Sequence, residues 1–160
     1  MGKYIKESSY EGGILMKERP LTILTFVVLL FTGVTAMAGG ISLMLDRYGD
    51  VIGIPLNLLY GSSFSNYLIP GLLLFGVIGI GSLAAALILW KKAEISWVTT
   101  MLAGVALVIW IIVQVSIIGY VSKLQPIMFI IGVLEFVLGF SYIKFVKMKY
   151  FSGYKISHKY

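Results

Sequence analysis

The chemistry available to this sequence centres on one acidic residue, Glu135, which lies within a long apolar segment, residues 126–146. A charged carboxylate near the middle of a membrane-crossing helix costs several kcal/mol, and insertion scales give about 2.5–3.5 kcal/mol for the related Asp. The side chain is therefore expected to face the protein interior. Because no lysine, arginine or histidine is expected at the same depth, we predict a neutral, hydrogen-bonded carboxyl without an ion-pair partner.

Polar side chains of three other apolar segments are predicted to lie close to this carboxyl. Counting about 1.5 Å per residue from the predicted helix ends places Thr32, Thr35, Ser82 and Trp110 within about one turn of its depth. Gln114 is predicted to lie a few ångströms further out. With the carboxyl, these residues form the predicted intramembrane polar site, to which all four helices contribute.

Three roles are open for this site. In the first, a protonated carboxyl holds the helices together by hydrogen bonding. In the second, it exchanges protons or cations along a path for a small solute, and in the third it contacts the headgroup of a lipid or quinone. Replacement of Glu135 by glutamine is expected to be nearly silent in the first case, since the amide still forms hydrogen bonds, and to abolish pH-dependent flux in the second.

The composition identifies the environment of this site. Of the 160 residues, 59% are hydrophobic and only 12% are charged, with a mean hydropathy of +0.95, whereas charged residues alone make up about 25% of a typical soluble domain. The sequence therefore predicts an integral membrane protein. It contains no cysteine and one histidine, His158, so we expect no disulfide, metal site, cofactor or catalytic triad, and an enzyme is the least favoured class of function.

The hydropathy pattern predicts an all-α polytopic membrane protein with four transmembrane helices in an antiparallel bundle, at about residues 21–45, 70–90, 98–120 and 126–146. Residues 1–20 are predicted to form an N-terminal tail in which Gly12 and Gly13 interrupt any helix. Residues 147–160 form a basic C-terminal tail, and the histidine near its end is expected to be solvated.

A long outer loop is predicted between the first two spans. Residues 51–90 carry no charged side chain, and this stretch is too long for one crossing and too short for two crossings with a turn. Its first half is therefore expected to lie at the membrane interface, with a short helix that starts at a proline and aromatic residues that anchor it or cover a ligand. The loop residues singled out are Pro55, Tyr60, Phe64, Asn66 and Tyr67.

Residues 55–71 resemble a segment of small, mostly uncharacterised four-span membrane proteins of bacteria and archaea. The pattern in those proteins is roughly P-x-x-L-L-x-G-S/T-x-F-x-x-Y-x-I-P-G, and each of its fixed positions is matched in this sequence. The match covers about seventeen residues. It implies a four-helix fold and no known activity.

Small residues are predicted to form the contacts between helices, because the hydrophobic effect does not drive association in lipid. They fall on one face of the first, second and fourth helices and suit contacts within the chain, contacts with a second copy, or a ligand groove. The glycines concerned are Gly39, Gly40, Gly71, Gly79, Gly132 and Gly139.

The basic residues predict the orientation. Four lie in the N-terminal tail, two in the turn after Trp90 and five from Lys144 onwards, against Arg47 and Lys123 on the opposite side. The positive-inside rule predicts that both termini are cytoplasmic and that the long loop is external. We expect the protein in the plasma membrane. The basic residues flank apolar segments, so we expect anionic lipid at the C-terminal tail and no nucleic acid.

The sequence favours a structural or accessory role, as a subunit or assembly component of a larger membrane complex or of a homo-oligomer. A small proton- or cation-coupled transporter or channel that uses Glu135 is the alternative. A membrane enzyme acting on a lipid or quinone is the third possibility.

Overall fold

In the computed structural model, the backbone is described for residues 2–157 and the side chains for residues 20–141. The expectations for His158, for the basic side chains of residues 142–160 and for those of residues 1–19 lie outside the described residues. Within the described part the chain is helical and contains no strand. The predicted all-α fold is therefore confirmed.

The described residues form four long helices, and each contains a segment long and apolar enough to cross a bilayer. Helix α1 is Gly2–Leu45, α2 is Leu68–Trp90, α3 is Ser96–Ile118 and α4 is Leu124–Ser157. The apolar segments are Pro20–Leu45, Leu68–Trp90, Ser96–Ile118 and Leu124–Ser141. These bounds agree with the predicted spans to within a few residues, and a short 3₁₀ helix at Leu56–Leu59 follows the proline that was expected to start it.

Two features of the helices differ from expectation. Helix α1 is continuous through Gly12 and Gly13, because each glycine costs a helix only about 1 kcal/mol and the neighbouring residues are good helix formers. Helix α2 is α-helical at Leu68–Leu73 and Gly81–Trp90 but π-helical at Leu74–Ile80. The wider π-helical turn is the part of α2 that packs most extensively against α1.

The helices pack as two antiparallel hairpins. In the first hairpin α1 lies against α2, and in the second α3 lies against α4. These two are the most extensive helix contacts among the described residues. The two ends of the bundle are named here by what they carry. The loop end carries residues 46–67 and the turn 119–123, and the terminal end carries the turn 91–95 and the chain termini.

Glycines bring the backbones together within each hairpin. A Cβ atom built on Gly40 would lie 2.7 Å from the carbonyl oxygen of Gly71, and one built on Gly104 would lie 2.5 Å from the carbonyl oxygen of Gly132. Real Cβ atoms do not approach this closely, so a larger residue would separate the helices. The other predicted packing glycines also lie in contacts, Gly79 against Met37, Gly139 against Met101 and, more loosely, Gly39 against Leu74.

Asp46 organises the start of the loop. Its carboxylate accepts hydrogen bonds from the backbone N–H groups of Ile52 (2.7 Å), Val51 (2.7 Å) and Asp50 (3.0 Å). These bonds, that of Ile52 above all, hold the pKa of Asp46 below its usual value of 3.8. The charged carboxylate therefore stabilises the turn that leads into the 3₁₀ helix.

The glycine contacts predict a contrast between two substitutions. Gly104→Ala should lower the free energy of unfolding by about 1–3 kcal/mol, because the new methyl group overlaps the backbone of α4. Gly81→Ala is the control, since a Cβ there would meet nothing within 4 Å. It should leave stability unchanged or raise it by up to about 1 kcal/mol. Equal stabilities of the two variants in detergent unfolding experiments would show that the close approach is unimportant.

The Asp46 turn predicts a local pH dependence. Because the pKa is lower in the folded state, the contribution of the carboxylate is fully present above the unfolded-state pKa of about 3.9 and is lost as the pH falls through the folded-state value. Asp46→Asn should accelerate amide hydrogen exchange at Val51 and Ile52 near neutral pH, measured by mass spectrometry. Exchange at Gln125, in the other turn of the loop end, should not change.

Candidate functional site

Glu135 forms a hydrogen bond between the two hairpins. The Thr32 hydroxyl of α1 donates to Oε1 of Glu135 in α4 over 2.7 Å. The two side chains are 1% and 0% exposed, respectively. The carboxyl therefore faces the bundle interior and links the first hairpin to the second.

The hydrogen bond lies between two apolar clusters. Towards the terminal end the cluster contains Leu29, Ala85, Ala86 and Leu89, and towards the loop end it contains Ala36, Ile78, Leu107 and Ile111. Thr32 is about one turn from a member of each cluster along α1, and Ser82 has the same position along α2. Thr32, Ser82 and Glu135 form a polar layer that has one apolar cluster on each side. The clusters shield the hydrogen bond from competing water.

Two buried oxygen atoms of this layer have no hydrogen-bond partner among the described residues. They are Oε2 of Glu135 and Oγ of Ser82. Buried polar groups are normally paired, since leaving one unpaired costs about 1–3 kcal/mol. The layer therefore has capacity for further hydrogen bonds on two of its helices.

The third helix contributes a glycine to the layer. A Cβ atom on Gly104 would lie 3.0 Å from the Cβ of Glu135, so the backbone of α3 passes directly beside the carboxyl side chain. The sequence interpretation did not single out Gly104. The sequence signal that could have identified Gly104 is its spacing. It lies three residues from Leu107, and no other glycine follows before residue 119.

Three predicted members of the site form no hydrogen bond with the carboxyl among the described residues. Trp110 is six residues from Gly104, or about 9 Å along α3, and packs against the apolar cluster nearer the loop end. Gln114 is one turn further in the same direction, half-buried. Thr35 donates to the backbone oxygens of Phe31 and Thr32 within α1, so its hydroxyl is satisfied by its own helix.

These three residues line a cavity of about 730 Å³ between the hairpins, in the half of the bundle nearer the loop end. Thr32 also lines it, whereas Glu135 is not among the lining residues. Thr32 therefore contacts both the cavity and the carboxyl. The walls are formed mainly by aliphatic side chains of α1, α2 and α3.

The loop covers the cavity. Tyr67 is 3% exposed, its hydroxyl donates to the Pro55 carbonyl over 3.0 Å, and its backbone N–H donates to the carbonyl of Arg47 over 2.9 Å. Burial raises the pKa of the Tyr67 hydroxyl, which keeps it protonated as a donor. Phe64 and Tyr67 both line the cavity, whereas Tyr60 is 81% exposed.

Two polar residues fix the chain at the loop end. The side chain of Asn66 accepts from the backbone N–H of Leu68 over 3.0 Å and supports the start of α2. Gln125, which the sequence interpretation missed, is 3% exposed and bridges the short turn before α4. Its side chain accepts from the N–H groups of Val121 and Ser122 and donates to the carbonyl of Gly119.

The described residues contain no group of three or more His, Cys, Asp or Glu side chains that could hold a metal ion. Comparison of the chain with family models, with curated proteins and with solved structures gave no match. A single buried carboxyl beside a hydroxyl suits hydrogen bonding between helices.

The Thr32–Glu135 contact predicts an energetic coupling. Thr32→Val removes the donor and should lower the free energy of unfolding by about 1 kcal/mol, which lies between the average of about 0.6 kcal/mol and the maximum of about 1.7 kcal/mol measured for such bonds in a membrane protein. Glu135→Gln retains an acceptor oxygen and should be close to neutral. A double-mutant cycle of Thr32→Val with Glu135→Leu, followed by unfolding in mixed detergent, measures the coupling. Strict additivity would show that the two side chains do not interact.

Proposed function

We propose that this chain is an accessory membrane protein, a scaffold or assembly subunit of a larger membrane complex or homo-oligomer, in which Glu135 is an internal hydrogen-bonding group. The observation that supports this most is the burial of the Thr32–Glu135 pair between two apolar clusters. The Oε1 atom of the carboxyl accepts its hydrogen bond from within the fold. The large apolar side chains on the outer faces of all four helices then meet lipid or the helices of partners.

The orientation in this proposal follows from charge. The basic residues of the terminal end outnumber those of the loop end, where only Arg47 and Lys123 occur in the sequence. The terminal end is therefore placed in the cytoplasm and the loop end outside the plasma membrane. Lysines of the C-terminal segment then bind anionic lipid, at about 1 kcal/mol each.

The proposal includes membership of the four-span prokaryotic group that residues 55–71 resemble. In this chain the matched tyrosine is Tyr67, which pins the loop to Pro55, and the matched phenylalanine is Phe64, which faces the cavity. The matched glycine at the end, Gly71, contacts Gly40. The motif residues therefore serve to fold the loop onto the hairpin, which suits a structural signature.

A second candidate function is a small proton- or cation-coupled transporter. It is favoured by the Oε2 atom of Glu135, which has no partner among the described residues, and by Thr32, which faces both the carboxyl and the cavity. In this case the hydroxyl relays protons between the cavity and the carboxyl. For protons to continue from the carboxyl to the terminal end, the residues of the apolar cluster on that side would have to separate.

Two experiments distinguish the two candidates. The protein, extracted in mild detergent from its native membrane, should co-purify with other membrane chains or with copies of itself, and mass analysis identifies them. In liposomes the wild-type protein and Glu135→Gln should show the same proton leak as empty vesicles. A proton or cation flux that depends on pH and is abolished in Glu135→Gln would reject the accessory role and support the transporter.

A further inference from the structure

The length of the cavity is close to the thickness of the hydrocarbon layer of one membrane leaflet. Its lining residues extend from Ala106 to Ile118 along α3 and from Phe31 to Leu43 along α1, which is about 18 Å at 1.5 Å per residue. Half of a bilayer's hydrocarbon core is about 15 Å thick. The cavity therefore runs from the middle of the membrane to the interface at the loop end.

The floor and the walls suit a hydrocarbon chain. At its inner end the cavity stops at Thr32, Ile78 and Leu107, above the buried polar layer. The π-helical segment of α2 contributes Leu74 and Val77 to the wall. The volume of about 730 Å³ lies within the range of about 300–1,000 Å³ found for small-molecule sites.

The cavity opens sideways between α2 and α3. Val77 and Ile109 line it and are nevertheless 55% and 54% exposed, and Val113 further along α3 is 42% exposed. In a bilayer such side chains face the acyl chains of the surrounding lipid. A chain can therefore enter from the membrane without crossing the loop that covers the outer end.

Near the loop end, the cavity contains a polar side chain that can form a hydrogen bond with a ligand. Gln114 is half-buried and faces the cavity, and its amide has no hydrogen-bond partner within residues 20–141. The side chain of Gln125 nearby is already occupied by the turn before α4. An ester or phosphate oxygen near the top of an inserted chain would accept a hydrogen bond from the free amide of Gln114.

The lateral opening and the free amide of Gln114 together favour a lipid as the occupant, because an acyl chain suits the aliphatic walls and an ester oxygen can accept a hydrogen bond from the amide. We propose that the cavity binds one phospholipid of the leaflet at the loop end, with an acyl chain between the hairpins and its ester region at Gln114. This lipid site goes beyond the accessory role, and neither depends on the other.

The test compares matched pairs of phenylalanine substitutions. Ala106→Phe and Val113→Phe together fill the cavity, because both positions line it. Leu102→Phe and Ile112→Phe together are the control, because these residues of the same helix are 61% and 52% exposed and do not line the cavity. Native mass spectrometry in mild detergent, followed by lipid extraction, gives the phospholipid retained per chain.

We expect wild type and the control to retain about one phospholipid each, and the cavity variant to retain about tenfold less, equivalent to about 1.4 kcal/mol. If the cavity pair does not fold, Val113→Phe alone is compared with Ile112→Phe. Equal retention by cavity and control variants, no retained phospholipid in wild type, or retention of an isoprenoid quinone or a protein chain instead would overturn the proposal.

A second measurement locates the lipid. Trp110 lines the cavity, whereas Trp90 and Trp97 lie towards the terminal end, so Trp90→Phe with Trp97→Phe leaves one indole at the site. Phosphatidylcholine with a brominated acyl chain, added to this protein in detergent, should quench its fluorescence saturably near one lipid per chain. The same titration with Val113→Phe added should need about tenfold more lipid, and identical curves would place the lipid elsewhere.

Discussion

The hydrogen bond between Thr32 and Glu135 is the constraint on which the rest of the structure depends. A carboxyl in the middle of four apolar helices must be turned away from lipid and given a partner. The fold meets both needs at once, since the partner lies on the opposite hairpin. The same bond therefore satisfies the buried acid and fixes how the hairpins face each other, and the clusters on either side keep water from it.

The close glycine contacts stabilise each hairpin, whereas the Thr32–Glu135 hydrogen bond joins the two hairpins. Gly40 with Gly71 and Gly104 with Gly132 hold each hairpin together from within, which lipid-facing aliphatic side chains cannot do. Between hairpins the contact is tight near Leu29 and Ala85 and looser towards the loop end. The space left there is the cavity, and the loop pinned by Tyr67 covers it. A site for a lipid chain thus arises where the packing between hairpins ends.

Much of this arrangement could be predicted from the sequence because lipid restricts the choices. Apolar runs bounded by charged turns gave the four spans, and the lone acid in a span had to face inward, as Glu135 does. The depth of Trp110 was misjudged because counting from helix ends ignores how the helices are offset. The π-helical turns of α2 and the role of Gly104 depend on the neighbouring helix, which a sequence pattern does not specify. The cavity is a property of four helices together, and no single segment encodes it.

Infrared spectroscopy of the Glu135 carboxyl tests the central claim most directly. The C=O stretching band that disappears in Glu135→Gln belongs to this group. The frequency of this band reports on the hydrogen bond that Oε1 accepts. We predict that Thr32→Val shifts that band to higher frequency, whereas Thr35→Val leaves it in place because Thr35 donates to its own helix. A band with the same frequency in wild type and Thr32→Val would contradict the account, because the two hairpins would then not be joined through this carboxyl.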